Sequence, residues 1–346
     1  MIRSRWLRPL WLGGLAALMA GCLGTPERPD PTPTPMPAAS ELPPVRIGLA
    51  LGGGAAKGFA HIGVIKMLEA NGLKPDVVAG TSAGSVVGAL YASGMDPFEL
   101  QQQAFGLDED RIRDVRLFSG GVLQGRKLQD YVNELVANRP LDRMPIPFAA
   151  VATRLETGER TVFVRGNTGQ AVRASSSIPG VFEPVAIGGQ HYVDGGVTSP
   201  VPVDAARELG ADVVVAVDIS NRATGGTPGH LLGIVNQSIA IMGSKLGEQE
   251  LARADVVVRP AVSDIGPADF AQRDRAILEG ERAALAALPR LRARIAEIQQ
   301  ERAEAAATKA REAAHAEALA RCERERSRIR DWLRLGDCAA TVGPAP

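Results

Sequence analysis

The chain has 346 residues, of which 45% are hydrophobic, 23% charged and only 4% aromatic, with 39 basic and 39 acidic residues in formal balance. That length accommodates one large domain or two smaller ones with a real core. Zero net charge removes the global electrostatic case for a nucleic-acid partner, and so few aromatics argue against a base-stacking platform.

Residues 1–21 read as a secretory signal that is not part of the fold. Arg3, Arg5 and Arg8 form a basic leader, an apolar run extends from Leu10 to Ala20, and small residues precede Cys22. The run is shorter than the ~20 residues that a membrane span needs. Met19-Ala20-Gly21-Cys22 resembles a bacterial lipobox. That resemblance implies cleavage before Cys22, acylation of Cys22 and a lipid-anchored protein in the cell envelope. Leu23 follows where an Asp would redirect sorting, which by the same resemblance favours the periplasmic face of the outer membrane. A plain signal peptide and an uncleaved anchor are the alternatives. Residues 22–44, dominated by Pro, Thr, Ala and Glu, read as a solvated, semi-rigid tether.

The folded region begins at Val45. Val45–Leu51 is an apolar run ending in glycines and reads as a buried strand; Phe59–Ala70 has helical spacing and stops at Asn71-Gly72. Val77–Ala79 reads as a strand, Ala83–Ala92 as a helix, and residues 97–138 as mostly helical with a break at Gly120-Gly121. Phe148–Arg154 and Arg160–Val164 flank Thr157-Gly158 as a hairpin. Val201–Leu209 follows as a helix, then Val213–Ile219 and Val256–Val258 as apolar strands. Short apolar strands alternating with helices predict an α/β domain with a mainly parallel central sheet over 45–290. Residues 291–346 form an Ala/Arg/Glu-rich helical extension, packed on the domain edge or binding a protein partner. Cys322 and Cys338 are either a disulfide or two free thiols.

Three motifs point to chemistry. Gly80-Thr81-Ser82-Ala83-Gly84 lies between a predicted strand and a predicted helix, where a serine on a tight turn exposes its hydroxyl at a helix N-terminus. Gly52-Gly53-Gly54-Ala55-Ala56-Lys57-Gly58 also joins strand to helix. It fails the phosphate-loop pattern because Phe59 follows Lys57-Gly58, and Lys57 and Ala55 break the dinucleotide pattern. An oxyanion hole or a plain tight turn remains. Asp194-Gly195-Gly196 ends an apolar stretch and is either a rigidly held acid or a common turn.

Together these motifs resemble the patatin-like phospholipase family, as do the run Ile47–Val64 and the segment Ala174–Phe182. One departure is Ala55, where many members carry glycine. The resemblance implies a three-layer sandwich and a Ser82–Asp194 dyad without histidine. It further implies an oxyanion hole from the amides of Gly53, Gly54 and Ala55, and neither cofactor nor metal. The substrates expected are membrane lipids, cleaved through an acyl-enzyme in the manner of phospholipase A or lysophospholipase. A hydrolase triad would need a histidine late in the chain, and His61, His191, His230 and His315 are poorly placed for it, although His230 in a Gly-Pro loop stays open. A non-catalytic envelope scaffold and an esterase or thioesterase of soluble acyl esters are the rival readings.

Overall fold

The computed structural model describes residues 42–107, 111, 112, 114, 123–220, 229, 231–329, 338, 342 and 343. The signal segment, Cys22, most of the tether, Gly120-Gly121 and His230 lie outside the described residues.

The described residues from 42 to 306 belong to one compact unit. Its strands are β1 (Ile47–Leu51), β2 (Val77–Thr81), β3 (Phe148–Arg154), β4 (Arg160–Phe163), β5 (Val185–Ile187), β6 (Gln190–Asp194), β7 (Val213–Val217) and β8 (Val256–Val258). They form a single sheet in the order β5-β6-β3-β2-β1-β7-β8, with β4 added to β3. Strands β3, β2, β1, β7 and β8 run parallel. Strands β4 and β6 pair antiparallel to β3.

The sheet is covered on both faces. Leu49, Leu51, Val213, Val215 and Val217 face a core shared with α1 (Phe59–Ala70), α2 (Ala83–Ala92), α4 (Arg126–Leu135) and the first half of α8 (Arg273–Ile329). The alternate residues Ala50, Ala79, Ala149, Val214 and Ala216 face α6 (Val203–Glu208) and the end of α7 (Leu231–Leu251). Period-two alternation with apolar side chains on both faces produces the unbroken apolar runs seen in the sequence. Helices α3 (Pro97–Phe105) and α5 (Thr168–Ser175) complete the unit. Asp96 caps α3 by accepting from the Phe98 and Glu99 amides, and the Asp96 amide in turn donates to the Glu99 carboxylate.

Helix α8 is 57 residues long and continues through Pro289. Ile277, Ala284, Leu288, Leu291 and Ile298 recur at helical spacing and are buried. A Cβ on Gly63 would lie 2.0 Å from the Ile277 carbonyl, and one on Gly280 2.0 Å from that of Ala60, so α1 and α8 cross with backbones touching.

The described residues from 307 onward belong to a second unit. There Cys322 and Cys338 form a disulfide with a Cα separation of 5.9 Å, and His315 Nε2 lies 3.0 Å from the Gly343 carbonyl. No helix among the described residues is long and apolar enough to cross a membrane.

Candidate active site

The register of β3 brings two remote residues together. One edge of β3 is taken by β4 along Ala150–Thr153. The other edge is shared: β2 occupies it up to the pair Thr81 and Val151, and β6 occupies it from the pair Asp194 and Ala152. The two strands approach from opposite ends and stop at adjacent rungs. Ser82, which follows Thr81, and Asp194 therefore meet at that junction.

Ser82 is held in a strained backbone state, with φ 53° and ψ −123°, in a region that non-glycine residues occupy only when their surroundings enforce it. Three groups enforce it here. The Ser82 amide donates to Ser175 Oγ at 2.9 Å, and that hydroxyl donates onward to the Val151 carbonyl at 2.6 Å. The Ser82 carbonyl accepts from the Ser85 amide at 2.8 Å and from Ser85 Oγ at 2.7 Å, starting α2. The flanking glycines permit the contact: a Cβ on Gly84 would sit 2.1 Å from the Leu51 carbonyl, and one on Gly80 2.4 Å from that of Gly84.

Asp194 is fixed on every side but one. Its amide donates to the Ser177 carbonyl at 2.8 Å, its carbonyl accepts from Thr153 Oγ1 at 3.0 Å, and its Oδ1 accepts from the Gly196 amide at 2.7 Å. Oδ2 is buried without a completed hydrogen bond. Burial pushes the carboxyl up to about 6, against the opposing pull of the Ser82 hydroxyl and the Gly196 amide. The Ser82 hydroxyl thus acts on the carboxyl group, and Oδ2 has no hydrogen-bond partner among the described residues.

In the glycine loop the amides divide into two sets. Gly52 N–H donates to the Val217 carbonyl, Gly53 N–H to that of Pro200, and Ala56 N–H to that of Pro267. Among the described residues no acceptor takes up the amides of Gly54 and Ala55. This corrects the expectation that Gly53 contributes a free donor: its N–H is committed to Pro200 at 3.0 Å. Gly53 instead backs the loop against the serine, with its Cβ direction 3.3 Å from Ser82 Cβ. Ala55 takes φ 52°, a conformation that costs a non-glycine residue energy.

His61 lies beneath this loop, fully buried, with Nε2 2.8 Å from the Gly52 carbonyl. A carbonyl only accepts, so the proton sits on Nε2. Burial lowers His61 to about 4, leaving it neutral. His191 is exposed and pairs with Glu156. Lys57 is buried, and burial lowers its pKa against the pull of Asp218 and Asp264.

A cavity of about 280 Å³ opens on these groups. Ser82, Asp194, Gly54 and Ala55 line it together with Ile178, Pro179, Val181, Val197 and Pro267. A larger, open groove near Pro43, Arg46, Asp212 and Arg302 contains none of the site residues. No cluster of three His, Cys, Asp or Glu residues among those described is placed to hold a metal.

Fold and site define a class: a three-layer α/β protein with a strained serine elbow facing a buried aspartate. Residues 49–207 match the Patatin-like phospholipase family model, so that part of the chain is a patatin-like phospholipase domain. An NTE family protein of Mycobacterium tuberculosis is 37% identical over 186 residues, 52% of this chain and 51% of the relative. A second from the same organism is 30% identical over 269 residues, 70% of this chain and 46% of the relative. The Lysophospholipase NTE1 of Pyricularia oryzae is 28% identical over 282 residues, 71% of this chain but 18% of that protein. The chain thus spans about half the length of the first two relatives. Among solved structures, VipD of Legionella pneumophila superposes with a TM-score of 0.50 at 15% identity, covering 70% of this chain and 66% of VipD, which shows a shared fold.

Proposed function

We propose that the protein hydrolyses acyl esters of lipids, with Ser82 as nucleophile and Asp194 as its general base. The observation that carries this reading is the shared edge of β3, which sets a strained serine beside a buried carboxylate in an apolar-walled cavity. Asp194 Oδ2, the unengaged oxygen, takes the Ser82 proton as Oγ attacks the ester carbonyl. The amides of Gly54 and Ala55 receive the oxyanion. The alcohol leaves with the proton from Asp194, and water activated by the same carboxylate releases the fatty acid. The hydrogen bond to Oδ2 tightens as substrate arrives, as is common when a free site closes on its ligand.

The name of the fungal relative makes lysophospholipids the first substrates to test, with diacyl phospholipids and soluble thioesters as comparators. Lipidomics of released fatty acids, wild type against Ser82→Ala, decides the reading. A fluorophosphonate probe should label Ser82, and unlabelled protein with no ester turnover would favour a scaffold instead. We further propose export and lipidation at Cys22. The signal-like leader and the Cys322–Cys338 disulfide, at home in an oxidising compartment, support it. Incorporation of a clickable fatty acid, lost in Cys22→Ser, tests it.

A further inference from the structure

Glu250, in the last turn of α7, is a buried carboxyl with 6% of its surface exposed. Its Oε1 accepts from Ser199 Oγ at 2.5 Å and its Oε2 from the Val201 amide at 2.8 Å. Burial pushes Glu250 up to about 7, opposed chiefly by those two donors, with Arg253 and Asp204 as the charged neighbours. Desolvating a carboxyl is unfavourable, so an apolar side chain here would serve the core better. What the carboxyl provides is a two-point grip on the strap Ser199-Pro200-Val201.

Three bonds lead from that strap into the site. The Ser199 amide donates to the Gly195 carbonyl at 2.7 Å, next to Asp194. Thr81 Oγ1 donates to the Ser199 carbonyl at 2.8 Å, next to Ser82. The Gly53 amide donates to the Pro200 carbonyl at 3.0 Å, next to the free amides of Gly54 and Ala55. We infer that Glu250 is a positioning residue: by clamping Ser199 and Val201 it fixes the Pro200 carbonyl, and through it the amides of Gly54 and Ala55 relative to Ser82. The inference rests on the reading of Ser82 and its glycine loop given above.

Glutamine can keep both contacts, accepting from Val201 and donating to Ser199 Oγ, whereas alanine keeps neither. The test is steady-state hydrolysis of a nitrophenyl acyl ester by Glu250→Ala, Glu250→Gln, Ser199→Ala and Ser82→Ala. Each variant is first checked for cooperative thermal unfolding well above the assay temperature. An oxyanion hole displaced by a fraction of an ångström should lower kcat in Glu250→Ala by roughly 10- to 100-fold with KM little changed. Glu250→Gln should recover most of that loss, and Ser199→Ala should fall between. Wild-type kcat in Glu250→Ala, or a loss confined to KM, would overturn the inference while an inactive Ser82→Ala left the nucleophile in place. Undiminished activity in Ser82→Ala would remove both. If Glu250→Ala does not fold, Ser199→Ala decides: a lowered kcat at constant KM supports the clamp, and an unchanged kcat rejects it.

Discussion

The junction on β3 and the outer part of α8 show how differently one chain spends its residues. At the junction almost every polar atom is assigned and little is exposed: Ser82 and Asp194 each keep 6% of their surface. Local stability is given up there, because a strained Ser82 and a desolvated Asp194 are both unfavourable. From 307 to 327 the same helix that packs through Leu291 and Ile298 is exposed on most faces. It is steadied by local means, such as the Glu317–Arg321 pair four residues apart at 3.3 Å and the Cys322–Cys338 bridge. Strain and buried charge therefore mark the region where chemistry is proposed, while neither occurs among the described residues of the region held by propensity and a crosslink.

The sharpest way to break this contrast is to remove the strained pair. Ser82→Ala and Asp194→Asn should each lower kcat/KM for an acyl ester by about 10³-fold or more, as expected for groups that act as a unit. In wild type the base must be ionised, so kcat/KM should rise about tenfold per pH unit up to about 6 and level off above it. A flat profile from pH 4 to 8 would place the base elsewhere.

The second effect has the opposite sign. The folded pKa of Asp194, about 6, lies above its ordinary value of 3.8. Between those values the native state binds more protons than the unfolded chain, so stability falls as pH rises through the window, and the full penalty persists above about 6. A shift of this size corresponds to on the order of 3 kcal/mol. Asp194→Asn should therefore be inactive yet more stable than wild type at pH 8 by an amount approaching that figure, with the gain vanishing near pH 4. Urea unfolding at the two pH values reads it directly. Equal midpoints at pH 8 would mean that the carboxylate is better solvated than its burial implies.

These two predictions concern residues that the sequence made visible, and the reason is local. Ser82 and the glycine loop each sit on one strand–helix turn, where a tight backbone leaves its record in consecutive glycines. The strands were legible because β1 and β7 are buried on both faces, and β8 on one face and part of the other, so that they read as unbroken apolar runs. The supporting groups left no such record. Ser175 is one of three consecutive serines, and nothing local tells which of them meets the Ser82 amide from 93 positions away. Glu250 stands two residues from the exposed Glu248 and looks like another solvated charge. The commitment of Gly53 to Pro200 depends on a crossing that no window around Gly53 contains.

Ser175 offers a smaller test on the same side of the contrast. Ser175→Ala removes the acceptor of the Ser82 amide and the donor to the Val151 carbonyl, both buried. Leaving such groups unpaired costs ~1–3 kcal/mol each, so a destabilisation of about 2 kcal/mol is expected after partial relaxation. Denaturant unfolding measures it, and an unchanged midpoint would mean that the elbow is held by Ser85 and the glycines alone.

The smallest effect on activity is expected at the other region. The bridge from Cys322 to Cys338 closes a loop of 16 positions. Closing a loop of that length removes roughly 3 kcal/mol of unfolded-state entropy, and that constraint is confined to the residues it spans. None of the groups lining the cavity comes from residues beyond Pro267. Reduction, or Cys322→Ser, should therefore speed amide exchange in residues 307–329 and leave kcat/KM for a soluble ester where it was. Hydrogen exchange and the ester assay, run on the same reduced sample, separate the two readouts. A fall in kcat/KM on reduction would show that the crosslinked helix and the β3 junction share one cooperative unit, and the division drawn between them would have to be abandoned.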